Sequence, residues 1–556
     1  MDILLVASAF NSLSQRVYAE LSDLGHRVDV VLAGQGPDAV RRAVRERHPE
    51  LVVAPMLKTA LPEDVWQRHT CLIVHPGPLG DRGPASLDWA VAGQAAEWGV
   101  TVLQAEAAMD AGAVWASETF PVAPVGKSDL YRNEAADAAL TAVHQAVRRY
   151  ADGSYKPRPQ SDPAIRGRVV WRDVFRQERR RIDWAADDTV TVLRKLRGAD
   201  SQPGVLDELL GRELFLHGGH PEDRLRGEPG ELLATRAGAV CRATRDGAVW
   251  IPELRPRRNS GDPSPFRRPA TDVLDAPHLP EHPAPLELPA DRRTWTDIRY
   301  RQHGDVGVVA FSFPGGAMGT DHCRRLLAAY RFALTRPTRV LVLGGRRDFF
   351  SNGIHLNVIE AAPDPAEESR ANLDAMDDLV EAVLRTTDRL VVAALGGNAA
   401  AGGAMLALAA DEVWCRAGAV LNPHYRLMGL YGSEFWTYSL PRRVGADTAG
   451  RLTEEARPVS AATAARTGLV DRLLPVPAQG FTAEVERLAA ELATAPDLDR
   501  RVAAKAAARR ADEEERPLAA YRRDELARMH AVFFDPGAAY HSLRSDFVRK
   551  VPGGAR

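Results

Sequence analysis

Short apolar runs alternate with stretches of helical periodicity along the first 150 residues. Residues 3–7 form an apolar run, 13–24 repeat apolar positions at helical spacing, and 28–32 are apolar again. Residues 38–47 then predict a helix, and 51–54 and 72–74 two more strands. Such alternation predicts a parallel sheet covered by helices, with ligands gathered at the carboxyl ends of the strands. His75 stands at one of those ends. A Gly/Pro-rich loop over 76–84 follows it, then a helix over 85–92, a strand over 100–103 and the turn MDAGAVW at 109–115.

Beyond residue 150 the pattern changes. KPRPQSDPAIRGRVV (156–170) predicts a linker, and residues 182–219 and 227–256 alternate at strand spacing with Gly and Asp-Gly turns. Residues 259–291 are Pro-rich and aperiodic, which predicts a second linker or a strap. The βα pattern then returns: strand 306–311, helix 320–336, strand 340–343, the loop GGRRDFFSNGIHL, helix 371–386, strand 390–394, the loop GGNAAAGGA, helix 405–410 and strand 412–415. The last segment is helical and Ala/Arg-rich to residue 529 and then carries HSLRSDFVRK at 541–550. The expected organisation is α/β multidomain: 1–150, 151–258, a linker over 259–294, 295–480, and a tail over 481–556.

Composition narrows the function classes. A chain of 556 residues exceeds one core and suits about three to four modules. A net charge of −2 argues against a dedicated nucleic-acid or membrane-surface binder, and the basic runs at 176–181 and 255–259 read as solvated surface. Four cysteines without a CxxC arrangement disfavour zinc and disulfides and suit a reducing cytoplasm. HGGH at 217–220 lacks further clustered ligands, so no metal is expected. No leader pattern and no apolar run near ~18 residues appear, so a soluble cytoplasmic protein without membrane partners is expected.

Two stretches carry acyl chemistry. In the first, HPGPLGDRGPASLDWA (75–90), His75 is followed by Arg82-Gly83 and later by Asp110 and Gly112. An imidazole can steady an oxyanion as a nucleophile attacks a formyl carbon, and a carboxylate can orient that imidazole and relay protons. This stretch resembles the catalytic strand and loop of formyltransferases that use 10-formyltetrahydrofolate, a family with an Asn-x-His strand end. The resemblance implies His75 and Asp110 as catalytic residues, and Arg82 and Gly83 in the substrate loop. The Asn position is Ile73, and losing an oxyanion donor costs on the order of 3 kcal/mol. Either another group replaces it, with Gln15 and Asn11 as candidates, or a thiol acceptor needs less help than an amine. Arg132 is a candidate for holding an anionic partner. The following segment resembles the β-barrel (OB-like) domain of methionyl-tRNA formyltransferases, here with a structural or substrate-covering role at least as well supported as a tRNA one.

The second stretch, GGRRDFFSNGIHLN … GNAAAGGAMLALAADEV (344–413), resembles the oxyanion-hole loops of the crotonase (enoyl-CoA hydratase/isomerase) superfamily. Two backbone N–H groups polarise the thioester carbonyl in that family, and glycines let the chain approach the acyl oxygen. By position those donors fall on Ile354 and Gly402. The two glutamates of the hydratases correspond to Met405 and His424, so ordinary hydration is not expected. GLYGSEFW supplies Glu434 instead, flanked by apolar and aromatic groups that raise a carboxyl pKa, with Tyr431 assisting. Arg544, Arg549 and Lys550 of the tail are candidates for pairing with coenzyme A phosphates.

The whole order, formyltransferase, barrel and crotonase with the GLYGSEFW loop, resembles the HypX (HoxX) family of nickel–iron hydrogenase maturation. That resemblance implies small-molecule substrates, hydrogenase-maturation partners, and two steps: formyl transfer from 10-formyltetrahydrofolate to coenzyme A, then decarbonylation of formyl-CoA to carbon monoxide. Two other readings compete. A conventional formyltransferase/acyl-CoA hydratase fusion is opposed by Ile73, Met405 and His424. A non-enzymatic maturation scaffold is opposed by His75, Asp110 and both Gly-rich loops.

Overall fold

The structure is a computed structural model that describes residues 1–551; the last five residues of the expected tail lie outside it. The chain divides into two compact units, Met1–His282 with Arg293–Trp295, and Pro283–Arg292 with the chain from Thr296 onward.

The first unit opens with a six-stranded sheet in the order Arg27–Leu32, Asp2–Ala7, Leu51–Ala54, Cys71–His75, Glu97–Gln104, Val114–Pro121. The first four strands are parallel, as expected, but Glu97–Gln104 runs antiparallel to both of its neighbours. The wholly parallel sheet is thus corrected to a mixed one. Helices Ser12–Asp23 and Glu134–Asp152 bury their apolar faces in one core, and Pro37–Arg47 contributes to the other. Six buried alanines on Glu134–Asp152, among them Ala139, Ala142 and Ala146, let it lie close to the strands. Asn11 starts the first helix by accepting from Ser14 N–H at 3.0 Å, which satisfies one of the otherwise unpaired amides of the first turn.

Two four-stranded antiparallel sheets complete this unit and share a core of Leu214, Leu216, Val240, Val249, Ile251 and Leu254. Strand spacing did not hold throughout. Thr189–Ala199 is a helix, capped by Asp188, and its Val192, Leu193 and Leu196 fall at the i, i+1, i+4 spacing of one helical face turned into that core. The Pro-rich stretch 259–294 is also more than a linker: Arg268–Pro269 pairs with Glu253–Leu254, and helix Ala270–Leu274 buries Ala270, Val273 and Leu274. A proline suits that edge strand because it has no N–H to leave unpaired.

The second unit has a six-stranded sheet, Ile298–His303, Val306–Phe311, Val340–Gly344, Leu390–Leu395, Glu412–Arg416 and Arg472–Leu474. Only its first pair is antiparallel. Three of the strands, Val306–Phe311, Val340–Gly344 and Leu390–Leu395, are buried along their whole length, as continuous apolar runs between two layers require. Helix Pro365–Leu384 begins six residues before the apolar pattern suggests, because Asp364 caps it and Pro365 fits the first turn. Among the described residues the tail forms four helices, Phe481–Ala493, Leu498–Glu515, Leu518–Phe533 and Ala539–Arg549. Leu518 enters the main core of this unit, and Met529, Phe533 and Tyr540 pack with Leu373 of Pro365–Leu384. No helix among the described residues is long and apolar enough to cross a membrane.

Candidate functional sites

In the first unit the strand Cys71–His75 delivers a buried imidazole between two carboxylates. His75 Nε2 lies 2.9 Å from Asp81 Oδ2, and Nδ1 lies 3.4 Å from Asp110 Oδ2. The loop between them is shaped for this. A Cβ at Gly77 would sit 2.3 Å from both His75 Nε2 and Asp81 Oδ2. Gly83, at φ +116°, donates its N–H to Asp110 Oδ2 at 3.0 Å, and a Cβ there would lie 2.0 Å from the Arg172 carbonyl oxygen. Asp81 also accepts from Ser86 Oγ at 2.6 Å and from Arg172 Nε. Burial opposes its charge, yet the hydrogen bonds from His75, Ser86 and Arg172 hold its carboxyl below the ordinary carboxylate range. The result is an imidazole oriented at both nitrogens beside a carboxylate that stays ionised, a group fitted to move protons during acyl transfer.

Several of the expected residues meet here and others do not. Arg82 Nε donates to Gln160 Oε1 at 3.0 Å, while Gln160 Nε2 donates to the carbonyls of Asp110 (2.7 Å) and Gly112 (3.0 Å). The stretch 156–170 is therefore no free linker. It runs through Gln160 along the site and into Val170–Trp171, which pairs with Asp81–Arg82, before Arg172 reaches Asp81. Asp81, Gln160 and Arg172 escape a sequence reading because only the fold brings Asp81 to His75, Gln160 to Arg82 and Asp110, and Arg172 to Asp81. Asn11 donates to Tyr131 Oη at 3.1 Å, and Gln15, inside the first helix, donates to the Phe10 carbonyl at 2.9 Å. Neither hydrogen-bonds to His75 among the described residues, and Ile73 packs in the apolar core beside Cys71. Arg132 ends the helix Lys127–Arg132.

In the second unit the two Gly-rich loops are stitched together. Ala400 N–H donates to Ser351 O at 2.8 Å, Ala401 N–H to Asn422 O at 2.9 Å, and a Cβ at Gly403 would lie 2.2 Å from Ser351 O. A Cβ on Gly353 would stand 3.2 Å from Gly402 N, so the amides of Ile354 and Gly402 are neighbours. Neither N–H has an acceptor among the described residues, whereas the flanking amides of Gly353 and His355 are taken by Ser351 Oγ and Asn372 Oδ1. The helix that follows starts at Gly402 rather than Met405, which places the Gly402 amide at a helix N-terminus where its dipole favours a developing anion.

Glu434 is 1% exposed and faces that hole: a Cβ at Gly402 would lie 2.2 Å from Glu434 Oε1. Its other oxygen, Oε2, accepts from Tyr425 Oη at 2.7 Å and from Ser433 N–H at 3.1 Å. The tyrosine in contact with the carboxylate is thus Tyr425, which corrects the assignment to Tyr431; the Tyr431 ring packs on Trp436 and lies under the Arg528 guanidinium. Burial pushes the Glu434 carboxyl up to about 7, against the lowering effect of the Tyr425 and Ser433 hydrogen bonds. Met405 is fully buried core, and His424 Nδ1 lies 2.9 Å from the Asn422 carbonyl oxygen. Arg544 is 5% exposed, and its Nε pairs with Glu360 at 2.9 Å while Arg549 pairs with the same carboxylate at 3.3 Å. Glu360 thus holds both guanidinium groups in place.

Fold and sites together define a formyltransferase joined to a crotonase. The family models agree: Formyl transferase matches residues 6–147, Formyl transferase, C-terminal domain residues 175–262, and Enoyl-CoA hydratase/isomerase residues 321–537. The chain is 48% identical to the hydrogenase maturation factor HoxX of Bradyrhizobium diazoefficiens over 99% of its own length and 95% of that protein. It resembles the crystal structure of HypX from Aquifex aeolicus in complex with tetrahydrofolic acid at 41% identity and a TM-score of 0.94, covering 99% and 96% of the two chains. A methionyl-tRNA formyltransferase of Sorangium cellulosum is 28% identical over 34% of this chain and 62% of its own. The chain belongs to the HypX/HoxX family of hydrogenase maturation factors.

Proposed function

We propose that this protein makes carbon monoxide in two steps in the cytoplasm, as a supplier to the hydrogenase-maturation machinery. In the first unit the coenzyme A thiolate attacks the formyl carbon of 10-formyltetrahydrofolate, the carbon–N10 bond breaks, N10 takes a proton, and formyl-CoA and tetrahydrofolate leave. His75 with Asp81 and Asp110 manages the proton. The tetrahydrofolate held by the Aquifex relative supports the choice of donor.

In the second unit the formyl thioester places its carbonyl oxygen on the Ile354 and Gly402 amides. Glu434 Oε1 removes the formyl proton, the carbon–sulfur bond breaks with its electron pair going to sulfur, carbon monoxide departs, and Glu434 returns the proton to the thiolate. The observation that carries this reading is the buried Glu434 carboxyl against the Gly402 loop, at a site where Met405 and His424 stand in place of the hydratase glutamates. A formyl thioester has no α-carbon, so hydratase chemistry is not needed, and a base with pKa near neutrality suits a proton that must be taken and given back.

Incubation with 10-formyltetrahydrofolate and coenzyme A tests the proposal, with released gas scored by the spectral shift of a haem protein. The parent protein should release carbon monoxide, and Glu434→Gln should accumulate formyl-CoA without gas. Normal gas release by the variant would remove Glu434 from the mechanism.

A further inference from the structure

Glu434 does not sit in an ordinary loop. Glu434 (φ +60°) and Phe435 (φ +57°) are consecutive non-glycine residues in the left-handed region, a conformation that L side chains disfavour. Neighbouring side chains hold them there. Glu434 N–H donates to Asp377 Oδ1 at 2.8 Å, and Ser433 Oγ donates to Asp377 at 2.9–3.0 Å. Phe435 N–H donates to Glu525 Oε2 and Thr437 N–H to Glu525 Oε1, both at 2.9 Å, and Thr437 Oγ1 also donates to Glu525. Helix Trp436–Val444, which has no capping side chain of its own, is thereby capped by a carboxylate from the tail helix Leu518–Phe533.

Three carboxylates are thus buried around one turn: Asp377 at 0%, Glu434 and Glu525 at 1% exposure. Among the described residues the other ionisable neighbours are Tyr425, the buried thiol of Cys323 and the guanidinium of Arg522, whose Nε is 3.8 Å from Asp377 Oδ2. Arg522 also pairs with Asp378 at 2.7 Å and Glu381 at 3.0 Å. One partly committed cation cannot balance three buried anions, so protons must be shared within the cluster. Burial raises all three carboxyls, and the charge of Glu525 pushes Glu434 further in that direction.

We propose that Glu525 of the tail is a positioning residue for Glu434: it fixes the left-handed turn that aims Glu434 Oε1 at the Gly402 loop and, with Asp377, sets the proton occupancy of that turn. The inference rests on the assignment of Glu434 as the base of decarbonylation. It gives the helical tail a function in the chemistry, beyond covering apolar surface.

The test is the pH dependence of carbon monoxide release from supplied formyl-CoA by the full-length protein. Glu525→Gln removes a negative charge while keeping the side chain's size, so the acidic limb should move to lower pH by about one unit. The maximal rate should fall, because the amide cannot accept from Phe435 and Thr437 as two carboxylate oxygens do. Glu525→Asp should restore the limb in part, whereas a merely structural role would lower the rate without moving it. Formation of formyl-CoA should be unchanged in each variant and serves as the folding control together with a thermal melt. Should Glu525→Gln fail to fold, Asp377→Asn provides the same reading, with a shift in the same direction. An unmoved limb in the folded variants overturns the inference. If Glu434→Gln itself still releases gas, the underlying assignment falls instead, so the two failures are distinguishable.

Discussion

Replacing Tyr425 by phenylalanine removes a single hydroxyl from the second site, and with it the 2.7 Å hydrogen bond to Glu434 Oε2. A hydrogen bond to a charged acceptor is worth about 1.5–3 kcal/mol, and one pKa unit corresponds to about 1.4 kcal/mol. The bond favours the ionised carboxylate, which lies near neutrality, at about 7, with the bond in place. Its loss should therefore raise the acidic limb of carbon monoxide release by about one to two pH units. Ser433 N–H, at 3.1 Å from the same oxygen, remains and keeps the shift within that range. At neutral pH the ionised fraction should fall about five- to fifty-fold, while the rate at alkaline pH recovers. The assay is initial gas release from supplied formyl-CoA on both sides of neutrality, with formyl-CoA formation as the control for the first unit. A limb that stays in place, or moves to lower pH, would falsify the idea that the limb reports a Glu434 carboxylate stabilised by Tyr425.

Gly77→Ala should abolish formyl transfer, because its Cβ would lie 2.3 Å from His75 Nε2 and Asp81 Oδ2, yet decarbonylation of supplied formyl-CoA should persist; separate assays of the two half-reactions check this. Arg544→Ala should destabilise the second unit by about 3 kcal/mol, the low end for breaking a buried ion pair since Arg549 still reaches Glu360, as read by urea unfolding. Glu434→Gln should stabilise the second unit more at alkaline than at acid pH. The native carboxyl at about 7, above the ordinary 4.5, binds more protons than the unfolded chain between those values, so the parent loses stability as pH rises through that window and the amide does not. Thermal melts of both proteins at about pH 5 and pH 8 compare the two regimes; equal differences at both would count against the raised carboxyl.

The alternation of apolar runs and helical periods by itself determined most strands and helices of both α/β units, because continuous burial between two layers demands uninterrupted apolar residues. His75, Asp110, Ile354, Gly402 and Glu434 became candidates through local patterns that resemble formyltransferase and crotonase motifs: a strand end, an Asp-x-Gly turn, two Gly-rich loops and a carboxylate among aromatics. The helix Thr189–Ala199 was less legible, as Thr-Val-Thr-Val reads equally well at strand spacing until the core selects one face. Only the tertiary structure decided the partners. Asp81 meets His75 directly, while Gln160 reaches Arg82 and Asp110, and Arg172 reaches Asp81, through chain reversals that no local pattern encodes. Tyr425, rather than the nearer Tyr431, reaches Glu434, whose turn is left-handed at two successive residues. Glu525, 91 residues after Glu434, closes that turn from the tail. Burial and long-range hydrogen bonding set both the geometry and the acidity of these groups, and neither property resides in a residue's sequence neighbours.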